Sequence, residues 1–170
     1  MRAVSARSSR AELRGAWAAE RADLRLQPEW GDVADGYALD RAVGRLAAVA
    51  DSALFDLGGL FVWIGPATER AVGIADPDNS LRALAHVELR TGALATVTGQ
   101  HRSVTVLAHD AFRASAWASA MFSVGCDSAL ALGPRLDRRG GIGVVCADST
   151  GVRWTTNLQN RVSLRTARGP

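Results

Sequence analysis

Three histidines, His86, His101 and His109, are the side chains here whose ordinary titration lies near neutral pH. His101 follows Gly99-Gln100 at a turn, and His109 directly precedes Asp110 at a helix start. His101 or His109 could act as a general base if it reached a reacting proton. Asp35 is the third candidate for proton transfer, in a polar stretch between Gly31 and Gly36. Ser115 and Ser119 stand one helical turn apart and would present two hydroxyls on one face. Such a pair suits a phosphate or another ligand, and it suits close packing of a helix on a sheet equally well. Neither serine has a base near it in sequence, which argues against a serine nucleophile. Asp32, Asp35, Asp40 and Asp56 cluster along the first unit. A hard cation such as magnesium takes oxygens of this kind, but helix caps and solvated turns use them too. All twenty basic residues are arginine, so a lysine Schiff base is excluded.

These residues must be held by one domain. The chain has 170 residues, 48% of them hydrophobic, which is enough for a single core. The net charge of +3 is mild, and no RNA-binding aromatic motif or helix-turn-helix pattern is present, so nucleic acid is not an expected partner. No apolar run reaches the length of a membrane span. The arginine-rich start MRAVSARSSRAELRGAW is not followed by an apolar run and does not read as a secretory signal. Cytoplasmic residence is the default expectation. Cys126 and Cys146 are too few for a disulfide scaffold, and their spacing fits no zinc motif. Two buried free thiols are expected, with a disulfide as the lesser alternative.

The expected elements follow in order. Ser9 and Glu12 fit a capping box before a helix over Ala11–Leu26, so residues 1–30 read as an amino-terminal helical extension. Gly31 to Gly36 reads as a polar loop. From Tyr37 the pattern is helical, with Leu39, Val43, Leu46, Ala47 and Ala50 on one face. Short strands are expected over Ala53–Leu57, Leu60–Ile64, Glu69–Ile74 and the end of Leu81–Leu89. Ala93–Thr98 runs on to Gly99, and Ser103–Leu107 is the clearest strand. A helix over Ala111–Val124 carries a packing stripe of Ala114, Trp117, Met121 and Val124. A short helix over Asp127–Leu132 precedes an exposed turn at Pro134. Ile142–Ala147 and Val152–Thr156 form a terminal hairpin, and residues 161–170 read as a disordered tail. The fold class is α+β: a mainly antiparallel sheet with helices packed against it, over residues 31–160.

The segment DVADGYALDRAVGRLAAVADSALFDLGG resembles the core of the FAD:protein FMN transferases, the ApbE family. Three further pieces follow in the right order: VGIADPDN, GALATVTG, and SVTVLAHDAFRASAWASAMFSVG. The similarity covers roughly residues 32–155. It implies the ApbE-type fold, FAD or FMN as the bound cofactor, and a pyrophosphate held beside magnesium.

By the motif, the alanine whose carbonyl supports the metal falls on Ala34, and the lysine after it on Asp35. The metal-holding aspartate and threonine fall on Ser115 and Ser119. Thr96 lies in the alanine-threonine-serine-glycine stretch. The aspartate of Gly-Gly-Asp falls on Leu60, and only Gln100, His101 and Arg102 occupy the place of the family's histidine loop. Arg102 and Arg113 could then replace the metal's charge. With the aspartate lost, magnesium is not expected. The resemblance thus implies a shortened and degenerate member without the amino-terminal part. Such a member would bind an aromatic small molecule or a partner subunit, or form a homo-oligomer, without FMN transfer. The alternatives are a repurposed enzyme of small-molecule metabolism using the emptied pocket, with His101, His109 and Asp35 as catalytic candidates, or a residual magnesium-dependent transferase.

Overall fold

The structure, a computed structural model, describes residues 31–47, 51–66, 70–136 and 141–165. The expected helix over Ala11–Leu26 lies outside them. Among the described residues, helix α1 (Gly31–Leu46) leads into strands β1 (Ala53–Asp56), β2 (Leu60–Ile64), β3 (Arg70–Asp76), β4 (Asn79–Leu89), β5 (Gly92–Gly99) and β6 (Arg102–Ala108). Helices α2 (Ala111–Val124) and α3 (Cys126–Leu136) follow. Strands β7 (Gly143–Asp148), β8 (Gly151–Trp154) and β9 (Val162–Leu164) close the described chain.

Two antiparallel sheets result. One has the order β1-β2-β5-β6-β7-β8, the other β3-β4-β9. The fold is therefore α+β in three layers, with helices on one face of the larger sheet and the smaller sheet on the other. Strand periodicity builds both interfaces, because alternate side chains point to opposite faces. Val62, Val104, Val106, Val144 and Cys146 pack under the helices with Ala111, Ala114, Ala118 and Met121. Their neighbours Trp63, Leu107 and Val145 pack on the other side against Val72, Ile74, Val87 and Leu89. This double burial covers both faces of β6: Ser103 to Ala108 are all buried, the polar Ser103 and Thr105 among them.

Several expectations are corrected. Gly31–Gly36 is not a loop but the first turns of α1. Its Asp and Gly residues signal a turn locally, and packing overrides them. Val33 and Leu39 are buried, and a Cβ on Gly36 would lie 2.6 Å from the carbonyl oxygen of Ala111 and closer still to Ser115 Oγ. Gly36 is thus the place where α1 meets α2. Leu46 is exposed, so the buried face of α1 ends before it. The stripe on α2 runs through Ala111, Ala114, Ala118 and Met121, with Ser115 beside it, and Val124 is exposed.

The short helix extends to Leu136 and contains Pro134 near its end. Gly133 lets that end press on β7, where an added Cβ would meet Val144 Cγ2 at 2.8 Å. All of Asn79–Leu89 is strand. Val162–Leu164, expected within the disordered tail, pairs with Ala85–Val87 of β4. The two cysteines are not free thiols. Cys126 at the start of α3 and Cys146 on β7 form a disulfide with Cα atoms 5.7 Å apart. Both lie in the helix-side core.

Among the described residues, no helix is long and apolar enough to cross a membrane.

Candidate functional site

The residues singled out in the sequence fall in three separate places. The first is a cavity of about 70 Å³ lined by Asp35, Gly58, Gly59, Thr96 and Ser115, among others. Asp35 comes from α1, the glycines from the β1–β2 turn, Thr96 from β5 and Ser115 from α2. Gly58 and Gly59 have φ of +60° and +98°, in the region that favours glycine. Their turn lets the Gly59 carbonyl accept from the Thr96 amide at 2.9 Å. The Thr96 and Thr105 hydroxyls hydrogen-bond at 2.9 Å. Ser115 is buried, and its hydroxyl donates to the Ala111 carbonyl one turn back. Ala34 precedes Asp35 on α1 and is half-buried. Ser119 lies one turn beyond Ser115, and its carbonyl accepts from Ser123 Oγ at 3.0 Å.

The second place is a cleft of about 900 Å³ beside the amino-terminal end of α2. Tyr37, Trp63 and Phe112 give it aromatic walls, and Asp40, His109, Asp110 and Arg113 line it with polar groups. The geometry at α2 is built by two carboxylates. Asp40 accepts from the Ala111 amide at 2.8 Å and from the Phe112 amide at 2.9 Å. Asp110, the N-cap, accepts from the Arg113 amide at 2.8 Å. It also pairs with the Arg113 guanidinium at 2.8 Å. Three of the four amides that a helix start leaves without backbone partners are thereby satisfied. Burial pushes the Asp40 carboxyl above its ordinary range; the Phe112 and Ala111 amides oppose this and the Asp110 charge adds to it. The Trp63 indole donates to the Pro66 carbonyl at 3.4 Å. The Arg70 guanidinium lies 4.6 Å from the centre of its ring.

The third place is a polar depression of about 530 Å³ holding His101, Arg102, Cys126, Asp127 and Asp148. His101 sits at the β5–β6 turn with φ of +56°, its Nδ1 2.6 Å from Asp78 Oδ1. This partner arrives from the β3–β4 hairpin and has no local signal in the sequence. Arg102 donates to the Phe122 carbonyl at 3.0 Å and lies 4.6 Å from the Phe122 ring centre. It thus serves the carboxyl-terminal end of α2, where a cation is favoured. The sulfurs of Cys126 and Cys146 and a carboxylate oxygen of Asp148 lie within 4.8 Å of one another. Reduced thiols in that arrangement could hold a soft metal. Here the sulfurs are joined, and Asp148 accepts from Thr150 and from Arg153 at 2.8 Å. The Thr150 hydroxyl, more than the Arg153 charge, holds the Asp148 carboxyl below its ordinary range.

His101 and His109 flank the two ends of β6, a seven-residue strand, and so stand roughly 25 Å apart. Asp35 lines neither of their openings. The three catalytic candidates are not one constellation. Asp40 is the residue whose importance the sequence understated: its partners lie 71 and 72 positions away.

Comparison with known proteins now bears on the fold and this arrangement. A model of the ApbE family matches residues 4–102, well over half of the chain. The chain belongs to the ApbE family. Solved ApbE structures share its fold. The ApbE protein of Thermotoga maritima superposes with a TM-score of 0.67 at 22% identity, over 82% of this chain and 54% of that one. The flavinyl transferase ApbE of Pseudomonas stutzeri gives a TM-score of 0.61 at 20% identity, over 80% and 51%. The flavin transferase ApbE of Vibrio cholerae gives 0.58 at 16%, over 76% and 51%. The chain thus spans about half the length of these solved relatives. No curated protein matches the sequence significantly.

The small cavity can be tested against the magnesium and flavin dinucleotide that the family resemblance implies. Its residues do not fit them. Its volume of about 70 Å³ holds a few waters, whereas ligand clefts run to several hundred Å³. Ser115 contributes no carboxylate, and its hydroxyl is committed to Ala111. Among the described residues that line it, none is an arginine.

Proposed function

We propose that this ApbE-family chain is a ligand-binding protein that takes an aromatic small molecule into the cleft beside α2, without transferring FMN. The contrast between the two openings carries the reading. The small cavity lacks the room for a flavin pyrophosphate, while the cleft of about 900 Å³ has the room and the walls for a planar ring. Tyr37 and Phe112 are both 38% exposed there. Aromatic side chains left open in a concavity are suited to stacking with a ring.

The test is a titration of native-mass protein with FAD, FMN and riboflavin, with and without magnesium, read by tryptophan fluorescence. Magnesium-dependent FAD binding overturns the proposal and favours the transferase. Magnesium-independent quenching by riboflavin that weakens in Trp63→Phe supports it. A partner subunit or second copy is compatible with this reading, since Leu54 and Leu57 are exposed at and just after the edge strand β1. Native mass measures that directly.

A repurposed enzyme has one observation in its favour. Asp40 has its carboxyl raised by burial in a tryptophan-lined cleft that also holds His109, a combination common at reactive sites. The readings part on the fate of the ligand. A ligand recovered unchanged after long incubation supports binding. Conversion that is lost in His109→Ala supports the enzyme.

A further inference from the structure

We infer that the cleft selects an aromatic ring bearing a positive charge, such as a protonated arylalkylamine, over the neutral or anionic form of the same ring. This rests on the aromatic-binding reading above and adds the sign of the ligand's charge.

The amino-terminal end of a helix is ordinarily a place for an anion. At α2 that capacity is used up from within. Asp40 takes the amides of Ala111 and Phe112, and Asp110 takes that of Arg113. The next amide, Ala114, already bonds the Asp110 carbonyl at 3.1 Å. A phosphate or carboxylate entering the cleft would find these donors filled and two negative groups in their place.

The remaining charges lean the same way. Arg113 pairs closely with Asp110 and also acts on Asp40, so the trio sets one guanidinium against two carboxylates and is negative on balance. Each of the Asp40 oxygens accepts one amide and retains a second lone pair. A ligand ammonium can use that lone pair, and a ligand carboxylate cannot. The raised Asp40 carboxyl agrees with this, since a cation beside it would relieve the cost of its burial.

The walls add a second attraction. Tyr37 and Phe112 present partly exposed aromatic rings in the same cleft, and ring faces attract cations. The chain itself shows that preference at Trp63, where Arg70 already lies against the indole.

The test holds the ring constant and changes the charge. Phenethylamine, phenethyl alcohol and phenylacetate are titrated against native-mass protein and followed by saturation-transfer NMR. The expected result is phenethylamine binding on the order of tenfold more tightly than phenylacetate, with the alcohol between them. Asp110→Asn, which keeps a good N-cap residue but frees Arg113, should shrink that preference severalfold. Phe112→Ala should weaken all three. Equal binding of the three, or phenylacetate binding best, overturns the charge inference and leaves the aromatic-binding reading standing. No binding by any of them overturns both.

Discussion

The Cys126–Cys146 disulfide makes the most direct prediction. The bridge closes a loop over a sequence separation of 20 residues. That loop carries α3 and ends on β7. Constraining a loop of this length in the unfolded chain is worth about 3 kcal/mol on the chain-entropy account. For a protein of this size each kcal/mol moves Tm by about 2–4 °C. Reduction by TCEP should therefore lower Tm by about 6–12 °C. Unreduced protein should take up no iodoacetamide when denatured, and the Cys126→Ala/Cys146→Ala variant should be insensitive to TCEP. Two alkylated thiols per chain without reductant, or a Tm that ignores TCEP, would refute the bridge. The same count made on protein from its native cells reads the compartment, because a reducing cytoplasm keeps such pairs open. Cytoplasmic residence, the expectation from the sequence, requires two thiols in that experiment.

Three further perturbations follow from the α1–α2 contact and from the charged groups. Gly36→Ala drives a methyl into the Ala111 carbonyl and Ser115 and should cost about 1–3 kcal/mol in denaturant unfolding; an unchanged midpoint would mean that α1 is not seated there. Asp40→Ala strips two amides of their acceptor and should cost about 2 kcal/mol, with loss of helical circular dichroism at lower denaturant. The two shifted aspartates act oppositely with pH. Asp148, lowered in the fold, contributes stability above its ordinary pKa of 3.8 that is lost as pH falls through its folded value. Asp40, raised in the fold, contributes most when protonated, and that share is lost as pH rises from about 3.8 through its folded value. Asp148→Asn should flatten the acid limb of the stability curve. Asp40→Asn should remove the decline above it, as read by urea midpoints from pH 3 to pH 7.

The strands and α2 were legible because their signals are local. LFVWI, SVTVL and the helix from Ala111 announce themselves by composition and punctuation, and the structure keeps them within a residue or two. What failed was decided elsewhere in the chain. Gly31–Gly36 carries turn residues, yet it is helical because Gly36 lets α1 sit against Ala111 and Ser115. Val162–Leu164 has a weak pattern of its own and is a strand because β4 offers it an edge. The cysteine pair was unreadable for the same reason: β7 and the start of α3 meet only once the sheet is built. Of the candidate site, Asp35, Thr96 and Ser115 come to one small cavity only through the packing of α1, β5 and α2. The separation of His101 from His109 could be seen only once β6 lay between them.

Asp40 shows why fold and ligand choice are hard to vary separately in this chain. Its two oxygens fasten the middle of α1 to the first turn of α2, and the same bonds close the anion site that the helix end would otherwise offer. Removing the carboxylate to admit a phosphate would loosen the contact that shapes the cleft. Asp110 has less of this double duty. Its backbone carbonyl continues the helix ladder whatever the side chain, and asparagine can still cap the Arg113 amide. A change at Asp110 therefore alters the charge that a ligand meets while the helices stay in place. Charge selectivity that moves with Asp110→Asn at unchanged Tm belongs to the cleft. Selectivity that moves only when Tm also falls belongs to the packing of α1 on α2.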